Sequence, residues 1–264
     1  MKIGFIGGGN MAEAMIKGMT SRGMKDILVS EPRNERRQYL QENFGIETTE
    51  SNKEAASSCD IIILAVKPQN MDSALDEISE VITEDKTVVS IAAGITLAYL
   101  ASKLKTKKLI RVMPNTPALV QEGISVISLC ECFSGRDISV VREILMSIGK
   151  VITLPEKYMD AVTAVSGSGP AFIALFIEAM IEGGIKTGLN NDDALTLAVQ
   201  TLTGTSKLLD SGMSPSKLRE MVTSPKGTTA AGLKTFDEKG FKGIVSDAIE
   251  AAKNRAEELG KGGS

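Results

Sequence analysis

From Lys2 to Pro155, short and almost wholly apolar runs alternate with stretches of helical pattern, and this alternation limits the possible folds more than any other feature of the chain. The runs KIGFIG, DILVS, DIIILAV, KTVVSIAAG and KLIRVMP are strand-like, and MAEAMIKGMTSRG and RNERRQYLQENFG between them are helix-like. A strand with one wet face alternates apolar and polar residues, whereas a strand covered on both faces is apolar throughout. The pattern predicts a parallel sheet with helices on both faces, a doubly wound α/β domain. GISVISLC, the helix SGRDISVVREILMSIG and KVITLP extend that sheet to Pro155.

From Glu156 the strand signal stops. Helices are expected over Glu156–Val165, Pro170–Gly188, Asp192–Ser211, Ser214–Val222, Thr228–Lys239 and Gly243–Leu259. Ser214 reads as an N-cap with Pro215 at the first helical position. The helix after GSGP has Phe172, Ile173, Leu175, Phe176, Ile177, Met180 and Ile181 around most of its circumference, so burial on several sides is expected. About 110 residues cannot provide that alone, which points to a second subunit.

Composition narrows the chemistry. With 264 residues, 42% of them hydrophobic, and a net charge of −3, the chain reads as a soluble globular protein with no basic block for nucleic acid. MKIGFIGGGN enters a strand after one lysine and lacks the pattern of a signal peptide, so the cytoplasm is the expected location. The most apolar run, AFIALFIEAMI, is interrupted by Glu178 and falls short of the roughly 20 residues of a membrane span, so no transmembrane segment is expected. Cys59, Cys130 and Cys132 read as reduced structural thiols, and without any histidine the CEC pair lacks partners for a tetrahedral zinc site, so no metal is expected. The missing histidine also excludes His-based triads and the commonest acid at neutral pH.

FIGGGNMA fits G-x-G-x-x-A through Gly7, Gly9 and Ala12, directly after a strand and opening a helix. Such a turn lets backbone N–H groups approach a pyrophosphate at the positive end of the helix, and it makes Ile6, Gly7, Gly9, Asn10, Met11 and Ala12 candidate cofactor residues. The end of the second strand, ILVSEPRNERR, carries conflicting signals. An acid here receives ribose hydroxyls and favours NAD, but Pro32 is read as turning Glu31 outward. Ser30, Arg33 and Asn34 suit the 2′-phosphate of NADP, and Arg36 and Arg37 either add positive potential or form a solvated helix face. The balance favours NADPH, with NADH possible.

FIGGGNMA, AVKPQN (65–70), VVSIAAGI (88–95), RVMPNTPALVQEG (111–123), VSGSGPAF (165–172) and VTSPKGTTAAGL (222–233) occur in the order and spacing of pyrroline-5-carboxylate reductase. The resemblance covers essentially the whole chain, and the last segment resembles that family's signature. One position departs: Lys226 stands where the family usually has glycine in SPGGTT.

The resemblance implies a Rossmann-like NAD(P)-binding domain over 1–155, followed by a helical dimerisation and substrate-binding domain over 156–264 that often assembles further. It implies NAD(P)H-dependent reduction of 1-pyrroline-5-carboxylate to L-proline. Residue matching places Val66, Lys67, Pro68, Ala92 and Ala93 along the cofactor groove and Asn52 near the adenosine. MPNTP, around Asn115 and Thr116, is read as a rigid loop over the same cleft or as a purely structural turn.

Val222, Ser224, Gly227, Thr228 and Thr229 are the candidate substrate residues, with Thr229 the candidate catalytic one. A helix beginning near Thr228 presents unpaired N–H groups to a carboxylate, and Ala230 and Ala231 leave room for a small ring. An ordinary N-cap with no ligand is the plain alternative. With no histidine, the substrate carries its own proton as an iminium and Thr229 bonds the ring nitrogen, or Thr229 and water supply the proton. Two other functions share the glycine turn. A β-hydroxyacid dehydrogenase needs a helix-borne catalytic lysine that is not identifiable here, and a non-catalytic NADP(H) sensor needs no hydroxyl cluster.

Overall fold

The computed structural model describes residues 1–129 and 136–261; Cys130 and Cys132 lie outside them. Strands β1 (Ile3–Ile6), β2 (Ile27–Ser30), β3 (Glu47–Thr49), β4 (Ile61–Leu64), β5 (Thr87–Ser90), β6 (Leu109–Met113), β7 (Gly123–Leu129) and β8 (Gly149–Thr153) form one sheet in the order β3-β2-β1-β4-β5-β6-β7-β8. Helices α1 (Asn10–Ser21), α2 (Asn34–Phe44), α3 (Asn52–Ser58), α4 (Met71–Ile78), α5 (Leu97–Lys103) and α6 (Arg136–Met146) connect them, and α7 (Met159–Val162) follows β8.

The β4 sequence IIIL shows why the strands read as apolar runs. Ile61 and Ile63 pack into one core with Phe5, Met15 and Val29, while Ile62 and Leu64 pack into another with Ile6, Leu75 and Val88. Each of these side chains contributes about 1.5–3 kcal/mol by leaving water.

Two features depart from the expected sheet. β3 is additional, a short polar edge strand paired parallel to β2. β7 runs antiparallel to β6, with Ile110 opposite Leu129 and Met113 opposite Val126. The connection between them is a 3-10 turn over Thr116–Val120, too short for the crossover a parallel pair needs.

β1 is the centre of the fold. It pairs in parallel with β2 on one side and β4 on the other, with Ile6 opposite both Ser30 and Leu64. The carboxyl ends of three strands are therefore level, and the connections diverge to opposite sides, the arrangement that opens a ligand crevice in such sheets.

The chain divides into two compact units, 1–168 with 251–264, and 169–250. The second contains α8 (Gly169–Lys186), α9 (Asn191–Asp210), α10 (Pro215–Met221), α11 (Thr228–Glu238) and the first part of α12 (Phe241–Lys261). α8 packs on α9, where Gly184 approaches Ala194, and Phe241 meets Phe176 at 6.1 Å and Phe236 at 4.9 Å.

α8 has no buried residue in the single chain, so the expected burial on several sides is absent there. The helical run Glu156–Lys186 also has the length and mean hydropathy of a membrane span, where the sequence reading expected none, and it is largely uncovered.

Candidate functional site

In the first unit the glycine turn follows β1 directly. Gly7 has φ +100°, which disfavours any other residue, and a Cβ there would lie 2.9 Å from the Ala65 carbonyl oxygen. Its N–H donates to Ser30 O at 2.8 Å, tying the turn to the end of β2. Gly9 is the N-cap of α1 with no side-chain cap bond, and a Cβ there would meet nothing within 4 Å. The first intrahelical bond runs from Glu13 N to Gly9 O, so the amides before it are left for a ligand. Asn10 is exposed, Met11 half-buried, and Ile6 and Ala12 buried in the frame behind the turn. This is the cradle that a pyrophosphate group fits.

Gly7, Ser30, Asn52 and Val66 line a cleft of about 310 Å³ together with Pro32, Gln69, Asn70, Ser73, Ala74 and Glu77. Ser30 Oγ donates to Asn52 Oδ1 at 2.7 Å, and Asn52 Nδ2 donates to Glu77 Oε2 at 2.9 Å. Glu77 was not among the sequence candidates; it lies on α4, which reaches the cleft only through the fold. Lys67 caps the 3-10 turn that begins at Pro68, and both are exposed. Ala92 is buried and Ala93 half-buried after β5, and none of these four lines the cleft. A larger cleft of about 920 Å³, between α5 and the end of β8, contains none of the candidates and is mostly apolar.

The end of β2 corrects one expectation and removes one alternative. Glu31 is not turned outward: it is buried, and its carboxylate accepts from Gly8 N at 3.1 Å, Arg33 N at 3.1 Å and Arg33 Nε at 2.7 Å. Burial pushes its pKa up, but the hydrogen bonds from Arg33 and Gly8 outweigh this and leave it below the ordinary carboxylate value. Arg36 and Arg37 are not a solvated face either. Arg36 Nε donates to Gly8 O at 2.7 Å, and Arg37 Nη1 donates to the carbonyls of Glu31 and Pro32. Asn115 Oδ1 accepts from Ile124 N at 2.9 Å, so its side chain fixes the start of β7.

In the second unit, Val222, Ser224 and Gly227 lie between α10 and α11, and Thr228 and Thr229 are the first two residues of α11. Val222 is exposed at the end of α10. Gly227 N donates to Ser224 O at 3.0 Å, and a Cβ at Gly227 would lie 2.3 Å from Ser224 Oγ, so a larger residue would have to turn that hydroxyl aside. Lys226 has φ +59°.

α9 and α10 are capped in the ordinary way: Asn190 Oδ1 accepts from Asp193 N, and Ser214 Oγ from Lys217 N. α11 starts on Gly227 without a side-chain cap bond, and its first intrahelical bond is Ala231 N to Gly227 O. The amides of Thr228, Thr229 and Ala230 thus precede the helix's own acceptors. The ordinary N-cap alternative requires a hydroxyl on those amides, and none is there.

A family model described as pyrroline-5-carboxylate reductase dimerisation matches residues 156–259, and one described as NADP oxidoreductase, coenzyme F420-dependent, matches residues 2–94. A pyrroline-5-carboxylate reductase of Methanosarcina acetivorans is 41% identical over 98% of both chains. The chain belongs to the pyrroline-5-carboxylate reductase family. A Synechocystis member is 38% identical over 99% of both chains. The structure of the Coxiella burnetii enzyme superposes with a TM-score of 0.91 at 32% identity, covering 98% of both chains. That of the Plasmodium falciparum enzyme with NADP bound superposes at 0.88 with 33% identity and the same coverage. As a member of this family the chain is an NAD(P)H-dependent oxidoreductase with a Rossmann-like sheet and a helical dimerisation region.

Proposed function

We propose that this pyrroline-5-carboxylate reductase receives the carboxylate of 1-pyrroline-5-carboxylate at the start of α11 and holds NADPH, or NADH, on the start of α1. The observation that carries the substrate assignment is the contrast in capping: in α9 and α10 a side chain takes one first-turn amide, Asp193 N and Lys217 N, and in α11 none does. Orphan amides at a positive helix end stabilise a carboxylate. Gly227 permits close approach, and Ser224 and Thr228 add hydroxyl donors. Val222 borders the loop.

NAD(P)H supplies the hydride when bound. The chain's part is to place and polarise the substrate. With no histidine in the sequence, the ring nitrogen arrives protonated, and Thr229 Oγ1 accepts its N–H, fixing the ring while the carboxylate is anchored. On the cofactor side, Ser30, Asn52 and Arg33 serve the adenosine ribose, with the Arg33 side chain, two-thirds exposed and paired with Glu31, turning to meet a 2′-phosphate. Val66 lines the same cleft as Ser30 and Asn52, and Lys67, Pro68, Ala92 and Ala93, which lie outside it, are assigned to the groove beyond.

The same reading assigns the two tasks to 1–155 and 156–264, in a cytoplasmic enzyme. The exposed apolar residues of α8, Leu175 at 65% and Ile173 at 49%, cover each other in a dimer. Self-association in place of a lipid bilayer accounts for the apolar run Glu156–Lys186, because residues 156–259 match the dimerisation model.

The carboxylate assignment is tested by comparing pyrroline-5-carboxylate with 1-pyrroline, which lacks the carboxylate. Charge-assisted contacts of about 1.5–3 kcal/mol predict at least roughly a tenfold loss of kcat/KM for 1-pyrroline. Equal efficiency on the two imines overturns the assignment.

A further inference from the structure

We infer that Arg36 is a positioning residue for the cofactor's pyrophosphate: from behind the glycine turn, it fixes the Gly8–Gly9 peptide so that the Gly9 amide is aimed before any ligand arrives. The inference rests on the reading that places the pyrophosphate at the start of α1.

Arg36 does not line the cleft and acts through backbone alone. Its Nε donates to Gly8 O at 2.7 Å. The carbonyl of Gly8 and the N–H of Gly9 belong to one planar trans unit, so they point in opposite directions. Holding the carbonyl towards α2 therefore holds the Gly9 N–H away from it. That N–H is among those that precede the first intrahelical bond of α1, from Glu13 N to Gly9 O. A peptide between two glycines has no side chain of its own to limit its rotation, and an amide that must be turned at the moment of binding loses part of its contribution. Glu31 holds the preceding peptide through Gly8 N, and Arg36 holds this one.

The guanidinium is itself anchored on both helices. Its Nη2 donates to Glu13 Oε2 in the first turn of α1, and Glu13 Oε1 accepts from Tyr39 Oη at 2.9 Å. The Arg36 guanidinium also lies over the Tyr39 ring, 5.0 Å from its centre. Its side chain is 18% exposed, against 67% for Arg33, so it is built into the turn and is not held out for a ligand. The pyrophosphate is common to NADPH and NADH. A role through the turn therefore affects both cofactors alike.

Calorimetric titration of the full-length protein with NADP+, NAD+ and adenosine 2′-monophosphate, which lacks the pyrophosphate, reads this without turnover. A melt of each ligand-free variant is the folding control. Arg36→Leu should weaken NADP+ and NAD+ by the same factor, about tenfold, and leave adenosine 2′-monophosphate unchanged. Arg36→Lys keeps the charge, but one ammonium cannot reproduce the fork that meets Gly8, Glu13 and Tyr39 together, so only part of the loss should return. Full recovery with lysine overturns the inference in favour of charge alone. A loss confined to NADP+ makes Arg36 a ligand of the 2′-phosphate and also overturns it, as does a folded Arg36→Leu protein with unmoved affinities.

Glu13→Gln tests the inference by sign. It removes an anion from the first turn of α1, which by charge alone strengthens the binding of a diphosphate, whereas loosening the guanidinium should weaken both cofactors about threefold. If Arg36→Leu does not fold, unmoved or tighter binding in Glu13→Gln overturns the inference instead. Wild-type protein that binds NADP+ no more tightly than adenosine 2′-monophosphate overturns the pyrophosphate reading along with it, whereas tight NADP+ binding that is indifferent to Arg36→Leu overturns the inference alone.

Discussion

The two compact units bury their apolar residues very differently. In the first, Phe5, Ile16, Ile61, Ile62, Ile63 and Leu64 are each at most 1% exposed. Within the second, 169–250, only Ala194 and Ala198 are buried, and Leu175, Leu197 and Ile244 are more than half exposed. Both have similar stretches of apolar sequence, so hydrophobicity does not separate them. The first closes its own core around a sheet, while the second presents an apolar surface that awaits a second copy. They nevertheless share one device, a helix started on glycine with no side-chain cap, Gly9 for α1 and Gly227 for α11.

The largest expected effect breaks the contrast at the exposed face. Leu175→Glu puts a charge into the surface that the proposed dimer covers, and an unpaired buried charge costs several kcal/mol. The protein should sediment as a monomer at micromolar concentration while still binding NADPH, because the first unit is self-sufficient. An undisturbed dimer would show that α8 is not the contact.

Next in size is Arg33→Ala, which should lower kcat/KM with NADPH by roughly ten- to a hundredfold and leave NADH nearly unchanged, from the loss of a contact of about 1.5–3 kcal/mol. Equal losses with both cofactors would remove Arg33 from the phosphate.

Lys226→Gly sharpens the comparison of the two glycine-started helices. A left-handed residue other than glycine costs about 1–2 kcal/mol, partly offset by the greater chain entropy of glycine, so a gain of about 0.5–1 kcal/mol is expected. At about 2–4 °C per kcal/mol for a chain of this size, the melting temperature should rise by a few degrees at most. A fall would mean that the lysine side chain contributes contacts that outweigh the strain.

The smallest effect concerns acid. The Glu31 pKa is lowered in the folded state from its ordinary 4.5, so the stability it contributes is full above that value and is lost as pH falls through the folded one. Melts of wild type and Glu31→Gln should therefore converge below about pH 4.5. A constant gap between them down to strongly acid pH would contradict the sign.

These sites differ in how far their sequence reveals them. The apolar strands were legible because both faces of the sheet are covered, and Gly7 and Gly9 because the turn follows a strand. β3 was not, since Glu47–Thr49 is polar and on an edge. Nor was the reversal of β7, because strand direction depends on the length of the connection and leaves no mark on composition. Glu31 was misread from its neighbour Pro32. Its inward position depends on the Gly8 amide, 23 residues away in sequence. Glu77 gave no local signal, as it reaches Asn52 only through the packing of α3 and α4. The hydroxyl cluster before α11 was visible, but the absence of a cap bond at its start required coordinates.

The most direct test of the account is Thr229→Ala, measured by steady-state kinetics with pyrroline-5-carboxylate, by NADPH affinity and by a thermal melt. If the start of α11 holds the substrate, kcat/KM falls about tenfold or more, from a lost contact of about 1–3 kcal/mol, while cofactor affinity and melting temperature stay close to wild type. Unchanged kinetics, or a loss of stability of roughly 0.5–2 kcal/mol with full activity per folded molecule, would make Thr229 a helix-start residue only and contradict the central claim.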